Sequence, residues 1–196
     1  MEATKSPDPS GEDVLHPVPA WGYTHGLSQL QGPESWSGVS GVVVTEIQQC
    51  INRYCWGFDD RRLDVMGDCF LETATWDASV MGEVSIGPFV GRVQILEWLS
   101  RFWKYQKDQR RHVFANLVVD SVEGNTAVAY CYLLLLGTHD SATQLETSGF
   151  YRFTLEHREG RWFIDTLSAG FDAPFWKMPV EEMSPRLREL FGINES

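Results

Sequence analysis

The sequence predicts a segregated α+β fold, a cone-shaped barrel of curved, mostly antiparallel sheet wrapped over three N-terminal helices. Three observations support this prediction. Apolar residues recur at helical spacing between residues 40 and 58 and again between residues 90 and 105. Alternating β-branched and aromatic residues form four runs after residue 111, and turn residues separate these runs. The inner face of such a sheet, together with the first helix, would line a cavity.

Composition narrows the classes of function. The chain has 196 residues, of which 43% are hydrophobic, so it can bury a substantial core. Its formal net charge of -11 disfavours binding to nucleic acid or to an anionic membrane, because phosphate recognition needs clustered Lys and Arg. The polar, Pro-rich start lacks the apolar segment of a signal peptide, and no run is long enough to span a membrane. We therefore expect a soluble, cytoplasmic protein.

The sequence implies no cofactor and no metal. Its four cysteines form no CxxC pair and lie in apolar stretches, which is typical of buried thiols in a reducing compartment. It has no Gly-rich phosphate loop, no GxGxxG motif after a strand and no nucleophile elbow around a serine.

Residues 1–38 are predicted to be an extended Pro/Gly-rich arm without regular secondary structure. Trp21, Tyr23 and Trp36 make this arm too apolar for a purely solvated tail. Packing against its own domain is the favoured interpretation, and packing across a partner subunit or over the mouth of a pocket are the alternatives.

The main domain is predicted to cover residues 39–178. Ser40 caps a helix that runs to about Phe58 and carries Tyr54 on its apolar stripe. A short helix, 61–70, follows with Asp59 or Asp60 as its N-cap, and a longer helix covers residues 90–105.

Strands alternate with turns through the rest of this domain. They are predicted at residues 72–80, at a short second strand between the turns near 82 and 88, and at 112–122, 127–136, 146–157 and 162–169. Residues 179–196 form a C-terminal tail with a short helix at 185–191.

The strand from residue 111 to residue 120 carries the candidate site. Alternation places His112, Phe114 and Asn116 on one face, so an imidazole and a carboxamide lie about 13 Å apart with a phenyl ring between them. A proton carrier and a hydrogen-bonding amide beside an aromatic floor would suit a pocket for a small, partly apolar molecule. The alternative is an ordinary strand whose polar residues are satisfied near a sheet edge.

Several short motifs appear together in a familiar order. The chain resembles the nuclear-transport-factor-2-like superfamily, and more narrowly its SnoaL-like domains, over roughly residues 40–175. The resemblance rests on Arg53-Tyr54, Phe58-Asp59-Asp60, Arg111-His112 with Asn116, Gly149-Phe150-Tyr151 and Gly160-Arg161-Trp162. This fold hosts cyclases, dehydratases, isomerases, epoxide hydrolases and non-catalytic subunits, so the resemblance implies the fold more narrowly than the reaction.

The similarity to scytalone dehydratase implies that Asp59 and His112 form that family's Asp–His pair. It places Phe58 at a substrate-binding tyrosine, Ala78 at the main pocket tyrosine, and Gly137 at a second histidine. Two polar positions are therefore kept and three are lost.

Ketosteroid isomerases share the fold as well. Their oxyanion-hole tyrosine aligns with Tyr54, whereas their general-base aspartate falls at Ala78. Asp77 is one residue away, which on a strand means the opposite face.

These residues together predict acid–base catalysis without a cofactor. His112 would act as the base, Asp59 would orient it, and Tyr54 and Asn116 would donate hydrogen bonds to a carbonyl or a leaving hydroxyl. A flat substrate would lie between aromatic walls formed by Trp76, Phe89, Trp103, Phe114, Tyr132 and Phe175. The resemblance adds Phe58 and Ala78 as substrate-binding positions. The predicted function is a dehydratase, isomerase or cyclase for a small hydrophobic metabolite, aromatic or polycyclic and belonging to secondary metabolism.

Other interpretations stay open at this point. Asp59 would equally serve as a helix cap, Asn116 as a bridge between strands, and Tyr54 as a core residue. The competing class is a non-catalytic ligand carrier or structural subunit. Epoxide hydrolysis would need a carboxylate–Arg–carboxylate set, which the predicted strand faces do not assemble. The resemblance also implies a homodimer or another homo-oligomer.

Overall fold

A computed structural model describes residues 6–7, 13–14, 21–32, 38–104, 106–176 and 180–193. Five α-helices lie within these ranges: α1 Trp21–Thr24, α2 Gly41–Asp59, α3 Leu63–Gly67, α4 Arg92–Arg101 and α5 Pro185–Phe191. Single 3₁₀ turns follow α4 at Phe102–Lys104 and precede α5 at Val180–Glu182. Within the described ranges, no helix combines the length and hydropathy that crossing a bilayer requires.

Eight strands are present in the same ranges. The first two, β1 Ser6–Pro7 and β2 Asp13–Val14, pair only with each other. The other six form one curved sheet in the order β4-β3-β8-β7-β6-β5. Their bounds are β3 Phe70–Val80, β4 Val84–Val90, β5 Gln109–Glu123, β6 Thr126–His139, β7 Ala142–Arg158 and β8 Arg161–Phe171.

The sheet confirms the predicted α+β class but does not close into a barrel. All neighbouring strands in it are antiparallel except β3 and β8, which are parallel. Because β4 and β5 are its two edges, the sheet remains an open, curved layer. Helix α3 packs against both α2 and α4, and α2 and α4 also pack on the sheet. This arrangement leaves room for a cavity between the two layers.

Helix α2 follows from its sequence. Ser40 accepts a hydrogen bond from the backbone of Val42 and caps the helix, as predicted. Ile47, Ile51 and Tyr54 form its buried stripe. Each of the two isoleucines contributes roughly 1.5–3 kcal/mol when it is removed from water.

The next helix differs from its prediction. It is only five residues long, and neither Asp59 nor Asp60 is its N-cap, because Arg62 occupies that position. Asp60 instead ends α2, which leaves the Asp59 carboxylate available for a long-range contact. The predicted helix at 90–105 is likewise shorter, because Val90 belongs to β4.

Residues 21–32 lie over the outer face of the sheet. The Trp21 ring packs on Phe150 at a centroid distance of 5.3 Å, and its indole N–H donates to Asp172 at 2.8 Å. This part of the arm therefore packs on its own chain, and α1 and the β1–β2 pair correct the expectation that the arm has no regular structure. Trp36 lies outside the described residues.

All four cysteines are buried and free. Burial raises the pKa of the Cys131 thiol to about 12, so this thiol is neutral at ordinary pH. The thiols behave as small core residues, as the sequence predicted.

Candidate functional site

A cavity of about 220 Å³ lies between the helices and the inner face of the sheet. Its walls are mainly aromatic, and the C-terminal segment that contains α5 contributes part of them. The aromatic wall includes Trp76, Trp98, Phe102, Phe171, Phe175 and Phe191. Few polar side chains join it: Tyr54, Gln106, Arg110, His112 and Tyr151. A mostly apolar hollow with a few convergent polar groups is the usual form of a small-molecule site.

Asp59 and His112 form a closely bonded pair at this cavity. The imidazole Nδ1 lies 2.6 Å from Asp59 Oδ1, and the backbone N–H of His112 donates to Oδ2 at 2.9 Å. Only 6% of the His112 side chain and 7% of the Asp59 side chain are exposed. The ring of Phe58 contacts the imidazole edge-on, with centroids 4.9 Å apart. Both carboxylate oxygens of Asp59 thus hold His112 in one orientation.

The geometry of this pair also decides which nitrogen of His112 is basic. A carboxylate can only accept hydrogen bonds, so Nδ1 carries a proton, and in the neutral imidazole Nε2 is the nitrogen with the lone pair. None of the described residues hydrogen-bonds Nε2 of His112. The imidazole lines the cavity, and it can therefore take a proton from a molecule bound there.

Two buried phenols form the other polar part of the cavity. Burial raises the pKa of Tyr54, and the Trp76 indole and the Tyr151 hydroxyl beside it partly offset that rise. Burial likewise raises the pKa of Tyr151. The Trp76 N–H is close enough to influence Tyr54 but makes no well-formed hydrogen bond with any described residue. Both hydroxyls therefore remain protonated donors at neutral pH.

Arg110 brings a third polar group to the cavity wall. Its Nε lies 2.6 Å from Asp108 Oδ2, and its Nη2 lies 4.0 Å from Glu146 Oε2. The predicted strand faces assembled no carboxylate–Arg–carboxylate set in the pocket, and the structure forms such a set beside the pocket. The reason is a β-bulge: Leu135 pairs with Thr147 and Leu136 with Leu145, so Glu146 is the extra residue. Neither carboxylate belongs to the cavity wall; only Arg110 does.

A family model matches the chain over most of the elements that form this cavity. The model of the SnoaL-like domain matches residues 43–168, which is more than half of the chain. The chain belongs to the SnoaL-like family. No curated protein sequence matches it significantly. Among the described residues, no three His, Cys, Asp or Glu side chains are arranged so that they could hold a metal ion.

Solved structures share the fold of this chain. A protein from Catenulispora acidiphila, solved in complex with a compound named S-DNPA, is 25% identical with a TM-score of 0.60 and covers 68% of this chain and 96% of its own. A protein of unknown function from Mycobacterium tuberculosis is 18% identical with a TM-score of 0.61, covering 82% and 91%. A Streptomyces protein is 18% identical with a TM-score of 0.59, covering 74% and 95%.

The SnoaL-like scaffold brings half of the predicted site residues together. Six of the twelve residues lie at the cavity or directly on its imidazole: Tyr54, Phe58, Asp59, Trp76, His112 and Phe175. Four more lie behind the wall: Phe114 packs on Tyr151, Trp103 on Phe58, Phe89 on Trp98, and Ala78 is buried in the core. These four support the wall but are not part of it.

The predicted positions of Asn116 and Tyr132 in the cavity are wrong. Ala115 pairs with Tyr132 and Val118 with Tyr130, so a bulge interrupts β5 at residues 116 and 117. Asn116 has a φ of 53° there and its side chain is exposed. Tyr132 is 60% exposed because it alternates with the buried Cys131 and Leu133 and so faces outward.

Sequence reasoning did not assign Tyr151, Trp98, Gln106 or Arg110 to the site. Tyr151 could have been found, because it alternates with Phe153 and Leu155 on the inner face of a predicted strand. Gln106 and Arg110 lie between the predicted helix and strand, where no helical or strand periodicity predicts which way a side chain points.

Proposed function

We propose that this protein is a cofactor-independent acid–base enzyme, a dehydratase, isomerase or cyclase, that acts on a small hydrophobic metabolite. The observation that carries the proposal is the Asp59–His112 pair, bonded at 2.6 Å and shielded from solvent on the wall of an aromatic cavity. General-base catalysis needs an imidazole that is held in place, is shielded from bulk solvent and has one ring nitrogen available to the substrate, here Nε2 of His112.

The reaction would begin with proton transfer. Nε2 of His112 removes a proton from a carbon next to a substrate carbonyl, and Asp59 stabilises the imidazolium that forms. The electron pair moves onto the carbonyl oxygen, where the hydroxyl of Tyr54 donates a hydrogen bond to the developing charge. Tyr151, beside Tyr54, supports that donor.

Three outcomes are open to the resulting enolate. If a hydroxyl leaves from the neighbouring carbon, the imidazolium returns the proton to it and water is released. If the proton returns to a different carbon, the double bond has shifted. If the enolate carbon attacks a second carbonyl of the same molecule, a ring closes and the proton passes to the new alkoxide. All three use the same base and the same donor.

The size of the cavity restricts the substrate. About 220 Å³ is below the 300–1,000 Å³ common for ligand pockets, which favours a molecule of one or two rings. Aromatic side chains such as Trp76 and Trp98 suit a flat partner. The Catenulispora acidiphila protein, solved in complex with S-DNPA, is consistent with ligand binding on this fold.

Replacing His112 by Gln tests the proposal, because an amide can still donate to Asp59 but cannot act as a base. We expect turnover of small aromatic β-hydroxy ketones, followed by absorbance or mass spectrometry, to fall on the order of 10³-fold. His157→Gln is the matched control, since His157 lies at the far end of β7 against Trp162. Full activity in folded His112→Gln would contradict the proposal.

The second candidate function is a structural subunit or ligand carrier, which one observation favours. The outer face of β5 and β6 exposes Val113, Tyr132 and Leu134, which are 40%, 60% and 43% exposed. This face is also where a second copy of the chain would pack if the protein is a homodimer. Tyr132→Ser would lower the oligomer mass in light scattering if the face is an interface, and would leave turnover unchanged if catalysis belongs to the cavity.

A further inference from the structure

Arg110 and its two carboxylate partners form a cluster that general-base catalysis does not use. We call Asp108, Arg110 and Glu146 the arginine clamp. The three side chains are 13%, 18% and 8% exposed, so water only partly screens their charges. Within the clamp, Nε and Nη2 of Arg110 face the carboxylates, whereas no described residue pairs with Nη1. Arg110 lines the cavity, and Nη1 is the guanidinium nitrogen that has no partner among the described residues.

The backbone is arranged to hold the clamp. Arg110 pairs across the sheet with Gly137, and a Cβ at Gly137 would collide with the carboxylates of both Asp108 and Glu146. The missing side chain thus gives both acids room above β6. The bulge at Glu146 turns its side chain toward the same space. Two independent features of the sheet thus converge on one arginine.

The balance of charge in the clamp decides what it can bind. Arg110 is always protonated and donates hydrogen bonds only, so it would hold an oxygen of a bound molecule. The two acids together outweigh its single positive charge, and the clamp carries a formal charge of −1. A carboxylate brought to Arg110 would meet two like charges in a poorly screened site. A neutral carbonyl or hydroxyl oxygen would accept the hydrogen bond without that repulsion.

We propose that Arg110 is a specificity-determining residue that selects substrates with a neutral oxygen acceptor and rejects carboxylates. Arg110 and His112 are two residues apart on β5, so their Cα atoms lie about 7 Å apart along the strand, roughly the length of two fused six-membered rings. The preferred substrate is a one- or two-ring aromatic compound with a ketone, quinone or hydroxyl oxygen at the end away from the reacting carbon. The inference rests on the proposed function only in assuming that the cavity holds the substrate.

The test uses three probes of nearly equal shape: acetonaphthone, naphthoate and ethylnaphthalene. Binding to the 196-residue chain is measured by titration calorimetry. We expect the wild type to bind acetonaphthone about tenfold more tightly than ethylnaphthalene, and naphthoate at least about tenfold more weakly than acetonaphthone. In Arg110→Met the preference for acetonaphthone over ethylnaphthalene should disappear. In Glu146→Gln the affinity for naphthoate should rise about tenfold while that for acetonaphthone stays the same.

The controls separate recognition from folding and from catalysis. Arg111→Met changes the exposed neighbouring arginine on β5 and should leave all three affinities unchanged. If Arg110→Met fails to fold because both acids lose their partner, the double variant Arg110→Met/Glu146→Gln is used in its place. It removes one of the two unpaired negative charges. His112→Gln should keep the wild-type order of affinities, because the clamp does not depend on the base.

Equal or tighter binding of naphthoate by the wild type would overturn the proposal, and so would an unchanged preference in Arg110→Met. Failure of all three probes to bind would overturn this inference and the proposed function together. Normal turnover by His112→Gln with the expected affinities would overturn only the proposed function.

Discussion

His112 and Arg110 are two polar residues on the same wall of one cavity, two positions apart on β5, yet their surroundings differ. His112 has one carboxylate partner, Asp59, which supplies a full negative charge to a group that can gain and lose a proton. Arg110 has two, Asp108 and Glu146, around a group that cannot lose its proton. The first arrangement suits proton transfer and the second suits recognition. We therefore assign proton transfer to His112 and substrate recognition to Arg110. The assignment follows from the number of acids beside each group and from whether the group can lose its proton.

The largest effect on this comparison should come from Asp59→Asn. The amide can accept a hydrogen bond from His112 but cannot balance an imidazolium, so kcat should fall on the order of 10²–10⁴-fold. Steady-state kinetics with circular dichroism as the folding check would measure this. Asp60→Asn changes the adjacent exposed acid and should have little effect. An equal loss of kcat in both variants would mean that the overall negative charge of this region, and not the hydrogen bond from His112 to Asp59, supports catalysis.

Tyr54→Phe should have an intermediate effect. Removing the hydroxyl leaves the developing oxyanion without its donor, and we expect kcat to fall on the order of 10²-fold. Because burial raises the pKa of Tyr54, its protonated form persists below pH 10, and ionisation of this phenol should not cause loss of activity between pH 7 and pH 10.

A pH–rate profile checks both parts of that expectation. The ratio of wild-type to Tyr54→Phe activity should stay constant from pH 7 to pH 10. A ratio that collapses toward unity within this range would show that Tyr54 ionises there and that its placement as a buried donor is wrong. Tyr132→Phe, on the exposed outer face, is the matched control.

The smallest effect should come from Gly137→Ala. The added methyl group would push Asp108 and Glu146 apart, which should cost about 1–3 kcal/mol of unfolding free energy and weaken the preference for neutral ketones a few-fold. Proton transfer at His112 should be nearly unaffected. Chemical denaturation and probe titration measure the two quantities, and Gly41→Ala, where no atom lies within 4 Å, is the control. A larger loss of turnover than of selectivity would contradict the separation of the two groups.

The elements of the fold could be predicted because their signals are local. The stripe of α2, its Ser40 cap and the alternation along the strands all depend on neighbours in sequence. Closure of the sheet is different, because it depends on whether β4 and β5 meet, and no local pattern encodes that.

The candidate site shows where local reasoning ends. A carboxylate at the end of a helix looks like a cap, and only the family resemblance paired Asp59 with His112, 53 residues away. Two bulges account for most of the remaining differences. One turns Asn116 out of the cavity and the other brings Glu146 to Arg110, and a bulge breaks the period of two that strand predictions assume.

The most direct test of the central claim is hydrogen–deuterium exchange at the carbon next to the carbonyl of a bound ketone, followed by NMR in D₂O. This measurement reports proton abstraction itself and needs no knowledge of the final product. With aryl ketones that carry a second neutral oxygen at the opposite end of the ring system, such as a diacetylnaphthalene, we expect the wild type to exchange the α-proton well above the buffer rate and His112→Gln to return to that rate. Exchange at the wild-type rate in folded His112→Gln, or no exchange of any ketone by the wild type, would contradict the assignment of His112 as the base.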